Sequence, residues 1–211
     1  MKQKLAWAAA AVALAGLVAW PWYWFSYGGR AAAWARDADP KVRMQAVRAL
    51  AGKSNPLARR TLLQLSRDPD TDVALYSVKA LAEGGSGSCR QVLVELLSSG
   101  ATPAVRGEAA AALGNFPGLG LGVLTRPLLE DPSPEVRCGA ARGLMRLRSR
   151  AAVPALFKAL SDREQPVRLA AISALDRTLG IRFDFQSEAD EAVRRRQLAY
   201  IKKLLDERKL L

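Results

Sequence analysis

The sequence predicts an all-α protein of about five stacked helical hairpins, with a transmembrane helix before them and a capping helix after them. Three observations lead to this prediction. Half of the 211 residues are hydrophobic, and the most abundant among them, Ala and Leu, are strong helix formers. A hydrophobic pattern recurs about every 31 residues between positions 37 and 175. An uncharged apolar segment, residues 5–25, precedes that pattern.

Residues 5–25 have the length and composition of a transmembrane helix. The segment contains 21 residues without a charged side chain, and at ~1.5 Å per residue it spans ~31 Å, about one hydrocarbon core. Four tryptophans lie within it, most of them at its end, as expected near a bilayer interface: Trp7, Trp20, Trp22 and Trp24. We expect a retained anchor that contacts membrane lipid. A cleaved signal peptide is the alternative, although its small-residue sites are poorly placed for cleavage.

Charges on both sides of this segment bear on its orientation. A short basic N-terminus normally stays in the cytoplasm, which places residues 28–211 on the other side. Arg30, Arg36, Lys41 and Arg43 follow the segment and favour the opposite orientation. We expect a single-pass protein of a bacterial inner membrane, with the repeats outside the cytoplasm, in the periplasm.

A valine marks the same place in each of five repeats. The intervals between successive valines are 31, 32, 31 and 31 residues for Val42, Val73, Val105, Val136 and Val167. A leucine follows each valine eight residues later, which is helical periodicity, and a second apolar segment precedes each valine. Each repeat is therefore predicted to be a hairpin of helix A and helix B. One hairpin cannot bury its apolar face alone, so about three or more must stack.

An aspartate recurs five residues before the valine, and an arginine recurs one residue after it. The aspartates are Asp37, Asp68, Asp131 and Asp162, with Gly100 in the third repeat. The arginines are Arg43, Arg106, Arg137 and Arg168, with Ala74 in the second repeat. This arginine lies inside the apolar arc of helix B, where an unpaired guanidinium would be costly. We expect the two residue types to pair, within or between repeats, as a structural ladder rather than as a catalytic pair.

The opposite side of helix B mixes apolar and basic side chains. Its predicted partner-binding residues are Met44, Arg48, Leu75, Tyr76, Lys79, Arg142, Met145 and Leu169. Apolar side chains in such a setting are unusual for a surface that meets only water, although a plain solvated face is the alternative. Gly107, Ala111 and Gly114 on the same side are expected to allow another chain to approach closely.

The composition excludes several kinds of chemistry. The chain has no histidine, so Ser-His and Cys-His nucleophiles are excluded. Cys89 and Cys138 lack the spacing of a zinc site. No catalytic residue, cofactor or metal site is predicted. The net charge of +12 favours anionic partners such as acidic lipid headgroups, nucleic acid or an acidic protein surface.

Three phrases in the chain resemble HEAT repeats, specifically the short bacterial type also seen in phycobilin-lyase-like proteins. They are DADPKVRMQAVRALAG, DPSPEVRCGAARGLMRL and DREQPVRLAAISALDRTLG. The resemblance covers about residues 31–180, and repeats two and three depart from it at Ala74 and Gly100. It implies a right-handed α-solenoid that binds proteins through the concave face of helix B. Some relatives handle chromophores or nucleic acid.

Three parts follow: a membrane anchor at 1–27, a repeat domain at 28–180, and an extended segment with a basic capping helix at 181–211, the helix beginning near Ser187. We expect a non-catalytic, membrane-anchored scaffold or accessory subunit whose protein partner is an integral membrane complex. A nucleic-acid-binding protein is the first alternative, opposed by the shortage of stacking aromatic residues outside the anchor. A lyase-like chromophore handler is the second, opposed by the lack of convergent titratable groups.

Overall fold

The computed structural model describes residues 27–99, 102–116, 118 and 120–211. Every regular element within these ranges is helical. None of their helices is both long enough and apolar enough to cross a bilayer. The predicted anchor at 5–25, with its four tryptophans, lies outside the described residues.

Eleven α-helices and one short 3-10 helix make up the described part of the chain. The α-helices are α1 (Tyr27–Trp34), α2 (Pro40–Leu50), α3 (Pro56–Leu65), α4 (Thr71–Glu83), α5 (Gly87–Ser98), α6 (Pro103–Leu113), α7 (Gly122–Glu130), α8 (Pro134–Leu147), α9 (Val153–Ala159), α10 (Gln165–Leu179) and α11 (Glu191–Glu207). The 3-10 helix, Arg150–Ala152, leads into α9. The first ten α-helices form five consecutive hairpins, in which the odd-numbered helix is helix A and the even-numbered helix is helix B.

The hairpins stack in chain order. Each helix A packs against its own helix B, and the B helices pack on one another in the order α2, α4, α6, α8 and α10. The A helices also touch their neighbours in two places, α1 on α3 and α7 on α9. This arrangement is consistent with the predicted α-solenoid. Its right-handed sense stays a prediction.

Polar residues at the turns start the helices. Asp39, Asp70 and Asp190 each cap a helix by accepting a hydrogen bond from a backbone N–H in its first turn. Proline is the first residue of α2, α3, α6 and α8, where its missing N–H costs nothing and its fixed φ suits the helix. Proline therefore marks the start of three of the five B helices, α2, α6 and α8, and of one A helix, α3.

The recurring valine and leucine form the core between the hairpins. Val73, Val105, Val136 and Val167 are buried, as are all five leucines eight residues later. Val42, in the first hairpin, is half-buried. A fully buried Val or Leu side chain stabilises a fold by ~1.5–3 kcal/mol, so each added hairpin gains stability by covering its neighbour.

Helices α6 and α8 approach one another through glycines. A Cβ atom at Gly139 would lie 2.0 Å from the carbonyl oxygen of Gly107, and one at Gly114 would lie 2.3 Å from that of Gly143. Both distances are far below van der Waals contact, so only glycine fits at these positions. The expectation for Gly107, Ala111 and Gly114 therefore differs from the structure. These residues are buried because they admit the next helix of the same chain, not another chain.

The chain leaves the last hairpin through an extended segment. Gly180 ends α10 with a φ of +66°, and Phe183 is buried beyond it. The N–H of Phe183 donates to the Asp176 carboxylate at 3.1 Å, and burial raises the pKa of Asp176. The predicted start of the final helix near Ser187 is wrong, because α11 begins at Glu191. Ser187 is buried and its carbonyl is used elsewhere.

Helix α11 covers the end of the stack with one side. Ile201 and Leu205 are buried, and Val193, Leu198 and Leu204 are half-buried. These five residues form one apolar stripe along the helix. The remaining surface of the helix is exposed and rich in Arg and Lys.

The close approach of α6 and α8 gives a direct prediction. Gly139→Ala would force the backbones of the two helices apart, and we expect it to lower the free energy of unfolding by about 3 kcal/mol, despite the better helix propensity of alanine. Gly122→Ala is the matched control, because its Cβ meets nothing within 4 Å at the start of α7. Thermal unfolding followed by circular dichroism measures both. Equal stability of the two variants would contradict the packing described.

Candidate protein-binding face

The recurring arginine joins each repeat to the next one. Arg137 donates to the Asp162 carboxylate through Nε at 2.8 Å and Nη2 at 2.9 Å. Arg43 makes the same two-pronged contact with Asp68, at 2.7 and 2.8 Å. Arg106 donates to Asp131 at 3.1 Å. The partner is the aspartate of the following repeat in each case, 25 residues along the chain. We call each such pair a rung.

Each rung also holds the turns on both of its sides. The Nη1 atom of Arg137 donates to the carbonyls of Asp131 and Pro132 in its own turn. Asp162 Oδ1 accepts the N–H of Glu164, two residues later. The hydrogen bond that Arg137 donates to Asp162 raises the pKa of Arg137 above its ordinary value. One guanidinium therefore ties the A–B turn of its own repeat to the A–B turn of the next.

The two ends of the ladder differ from the prediction. Asp37 begins the ladder, so no earlier repeat in the described residues offers it an arginine, and its Oδ1 accepts the N–H of Asp39 at 2.9 Å. Arg168 ends the ladder without a carboxylate partner. Its Nε and Nη2 donate to the Ser187 carbonyl at 2.8 and 2.6 Å. Burial, together with nearby Arg194, lowers the pKa of Arg168. The C-terminal segment thus takes the place of a sixth repeat.

One rung is absent, and both of its residues are replaced together. The arginine of repeat two and the aspartate of repeat three would form a single rung, and these positions hold Ala74 and Gly100. Gly100 lies outside the described residues. A pocket of about 520 Å³ lies beside Ala74, between the turn at Asp68 and the start of α6 at Thr102. The two positions that depart from the repeat pattern, Ala74 and Gly100, therefore correspond to the loss of a single rung.

The predicted partner-binding residues lie on the outer surface of the B helices, which we call the B face. Tyr76 and Leu169 are 50% and 53% exposed. Met44, Leu75 and Met145 are half-buried and pack partly on the core. Arg48, Lys79 and Arg142 are exposed.

Two rows of side chains run across the B face from repeat to repeat. The second residue after each valine gives the apolar row: Met44, Leu75, Gly107, Cys138 and Leu169. The sixth residue after each valine gives the basic row: Arg48, Lys79, Ala111, Arg142 and Ser173. Both rows have a small, buried residue in the third repeat, where α8 approaches α6.

The small residues of α6 leave a pocket in the middle of the B face. It has a volume of about 450 Å³, and members of both rows line it: Leu75, Gly107, Cys138 and Arg142. Arg142 also lies 3.7 Å from the carboxylate of Glu108 and is 48% exposed. Burial raises the pKa of the Cys138 thiol, which keeps the thiol protonated near neutral pH. The pocket is thus a mostly apolar depression, with the cation of Arg142 and the carboxylates of Glu108 and Glu135 at its edge.

Three residues with a role in the B face or in the ladder are absent from the sequence-based prediction. Cys138 lines the pocket, and the periodicity identifies it, because it is the fourth member of the row that contains Met44 and Leu75. Glu108 lies beside Arg142 one repeat away, a pairing that the sequence does not indicate. The carbonyl of Ser187 takes the place of an aspartate, and the sequence does not indicate it because every residue has a backbone carbonyl.

Among the described residues, no group of three or more Asp, Glu or Cys side chains could hold a metal ion. Both cysteines are free thiols. The charged groups that lie close together are the rungs and surface ion pairs.

The rung between repeats four and five gives a prediction on stability. Arg137 and Asp162 have side chains only 6% and 12% exposed, so Asp162→Ala leaves a buried guanidinium without its carboxylate. We expect a loss of about 3 kcal/mol in the free energy of unfolding. The double variant Arg137→Ala with Asp162→Ala should lose less stability than the sum of the two single variants, because it leaves no buried charge without a partner.

The surface ion pair Arg126–Glu130 is the control for the double-mutant cycle of Arg137 and Asp162. Both side chains are mostly exposed, and removing Glu130 should cost less than about 0.5 kcal/mol. Strictly additive effects at Arg137 and Asp162, measured by thermal unfolding, would contradict the role given to the rung.

Comparison with known proteins agrees with this architecture. A family model of HEAT repeats matches residues 30–114 and 123–195, more than half of the chain. A crystal structure of an engineered protein is similar at 25% identity, over 72% of this chain and 78% of that one, with a TM-score of 0.46. No curated protein sequence matches the chain. HEAT repeats commonly mediate interactions between proteins. The described helices and the family match together show that this chain belongs to the HEAT repeat family.

Proposed function

We propose that this protein is a non-catalytic, membrane-anchored HEAT-repeat scaffold or accessory subunit, which binds a protein partner through its B face within a membrane protein complex. The exposure of large apolar side chains on this face is the observation that carries the proposal. Tyr76 and Leu169 are about half exposed on this face. Apolar surface that is kept among basic groups is typical of interaction sites.

The composition of the chain and the chemistry of its described residues support a binding role over a catalytic one. The chain contains no histidine, and the described residues contain no cluster of metal-ligating side chains. Cys89 is fully buried, and burial raises the pKa of Cys138, so neither thiol is activated as a nucleophile. The buried guanidinium groups have structural partners: Arg137 forms a rung, and Arg168 donates to the Ser187 carbonyl at the end of the ladder.

The N-terminal sequence supports a place in the membrane. Residues 5–25 are uncharged and long enough to span a bilayer as a helix. Lys2 and Lys4 precede them, which favours a cytoplasmic N-terminus. The repeats then lie outside the cytoplasm, on the periplasmic side of a bacterial inner membrane, where they meet the exposed domains of integral membrane proteins.

Site-specific photocrosslinking in native membranes tests this proposal. A photoreactive phenylalanine analogue replaces Tyr76 or Leu169 in the full-length chain, and Leu129 is the control. Leu129 is an exposed leucine of α7, a helix A, and so lies off the B face. We expect the same membrane protein to be crosslinked from Tyr76 and from Leu169, and not from Leu129.

An alkaline carbonate wash after irradiation tests the anchor in the same sample. The full-length chain should remain in the membrane pellet, and its intact mass should include residues 1–27. Release into the supernatant, or a mass that lacks these residues, would contradict the anchor. Absence of a crosslinked protein from both B-face positions, or equal crosslinking from Leu129, would contradict the scaffold role.

A further inference from the structure

The two rows of the B face define the chemistry of the partner. We propose, on the basis of the protein-binding role above, that the B face receives an acidic amphipathic helix. The helix lies across the repeats, with its apolar stripe on the apolar row and its acidic stripe on the basic row. A bulky apolar side chain near its middle enters the pocket at Gly107.

Charge is the first argument for an acidic partner. Arg48 and Lys79 are exposed and form no ion pair with any described residue. Lys79 lies over the ring of Tyr76, with Nζ 4.9 Å from the ring centroid. The exposed carboxylates of the face, Asp72 and Glu135, directly precede the marker valines, across the apolar row from the basic row. Lys41 precedes the first marker valine, so this edge is acidic only at repeats two and four. A partner with acid along one edge therefore meets a more favourable charge when that edge lies on the basic row.

Spacing is the second argument, and it indicates a helix. Packed helices lie about 8–10 Å apart, so each row offers one side chain about every 10 Å along the stack. A helix rises about 10.5 Å in seven residues. An apolar side chain at every seventh position of a partner helix therefore meets one member of the apolar row in each repeat. The two rows are four residues apart on helix B, about 6 Å, which one helix is wide enough to cover.

The pocket is the third argument, because it interrupts both rows at the same repeat. Gly107 and Ala111 are buried, so at these two positions α6 has only a hydrogen and a buried methyl group, where the neighbouring helices have Leu75 and Arg142. The resulting depression of about 450 Å³ has mostly apolar walls. Such a depression in the middle of an interface suits a bulky apolar anchor from the partner.

Binding of designed peptides to the full-length chain in detergent micelles tests the proposal. The acidic probe is a labelled peptide of about 28 residues, with Leu at every seventh position, one central Phe, and Glu beside the Leu stripe. The basic probe has Lys in place of each Glu. We expect the acidic probe to bind at least about tenfold more tightly at low salt, and to weaken as salt is raised.

Two pairs of variants separate the basic row from the overall charge. Arg48→Glu with Lys79→Glu should weaken binding of the acidic probe by about tenfold or more. Arg126→Glu with Arg196→Glu changes the net charge equally, on exposed positions of α7 and α11, and should leave binding unchanged. Equal losses in the two double variants, equal affinity for the two probes, or no binding of the acidic probe would overturn the proposal.

Chemical modification of Cys138 tests the pocket. A bulky maleimide on this thiol should fill the pocket and abolish binding of the acidic probe, while Cys89, fully buried, stays unmodified. The Cys138→Ala chain should bind the probe with or without maleimide. Undiminished binding to a chain modified at Cys138 would place the probe elsewhere and overturn the proposal.

The crosslinking experiment distinguishes this inference from the proposed function. If a membrane protein is crosslinked from Tyr76 and Leu169 and the Arg48 and Lys79 reversals leave its yield unchanged, the acidic-helix proposal fails and the scaffold role stands. If duplex DNA displaces the acidic probe and binds more tightly than it does, the proposal also fails, because the face then recognises phosphate.

Discussion

The arginine that reaches from one repeat to the next is the interaction on which the stack depends at every junction except that between repeats two and three. Its guanidinium is held by an aspartate 25 residues later and, in Arg43 and Arg137, by two carbonyls of its own turn. A buried guanidinium without these acceptors would destabilise the fold. The arginine of one repeat therefore requires the aspartate of the following repeat, and the pair fixes how neighbouring hairpins sit at their turns. Where the stack ends, the Ser187 carbonyl supplies the acceptor for Arg168.

Because the rungs and the core lie elsewhere, the exposed residues of the B face can differ from repeat to repeat. The rungs lie beside the A–B turns, and the valine and leucine of helix B fill the core, so the exposed side chains of the B face, such as Tyr76 and Leu169, contribute little to the stack. Repeat three shows the consequence. Its helix B has Gly107 and Ala111 where other repeats have larger side chains, and α8 moves in close enough to bury both. The same residues that tighten the stack thereby create the depression in the apolar row.

Much of the fold follows from the sequence because the regular spacing of the repeat shows where each helical hairpin begins and ends. Five valines about 31 residues apart identify every helix B, and the recurring Asp and Arg identify every rung. The features that the sequence does not indicate are those that depend on the distance between two helix backbones. The outward angle of Gly107 and Gly114 suggests solvent, and only the approach of α8 makes them core. A backbone carbonyl as the partner of Arg168 is likewise invisible in residue types. Angular position on helix B identifies eight residues of the B face, but not Cys138 or the pocket that it lines.

The most direct measurement of the central claim is to build the rung that this chain lacks. Ala74→Arg and Gly100→Asp, singly and together in the full-length chain, give a double-mutant cycle read by thermal unfolding. Ala74→Arg alone should destabilise the fold, because it places an unpaired guanidinium beside the pocket between repeats two and three. With Gly100→Asp present, we expect a favourable coupling energy of about 1 kcal/mol or more. Additive effects of the two changes would mean that the arginine and the aspartate of successive repeats do not act as a unit, and would contradict the account.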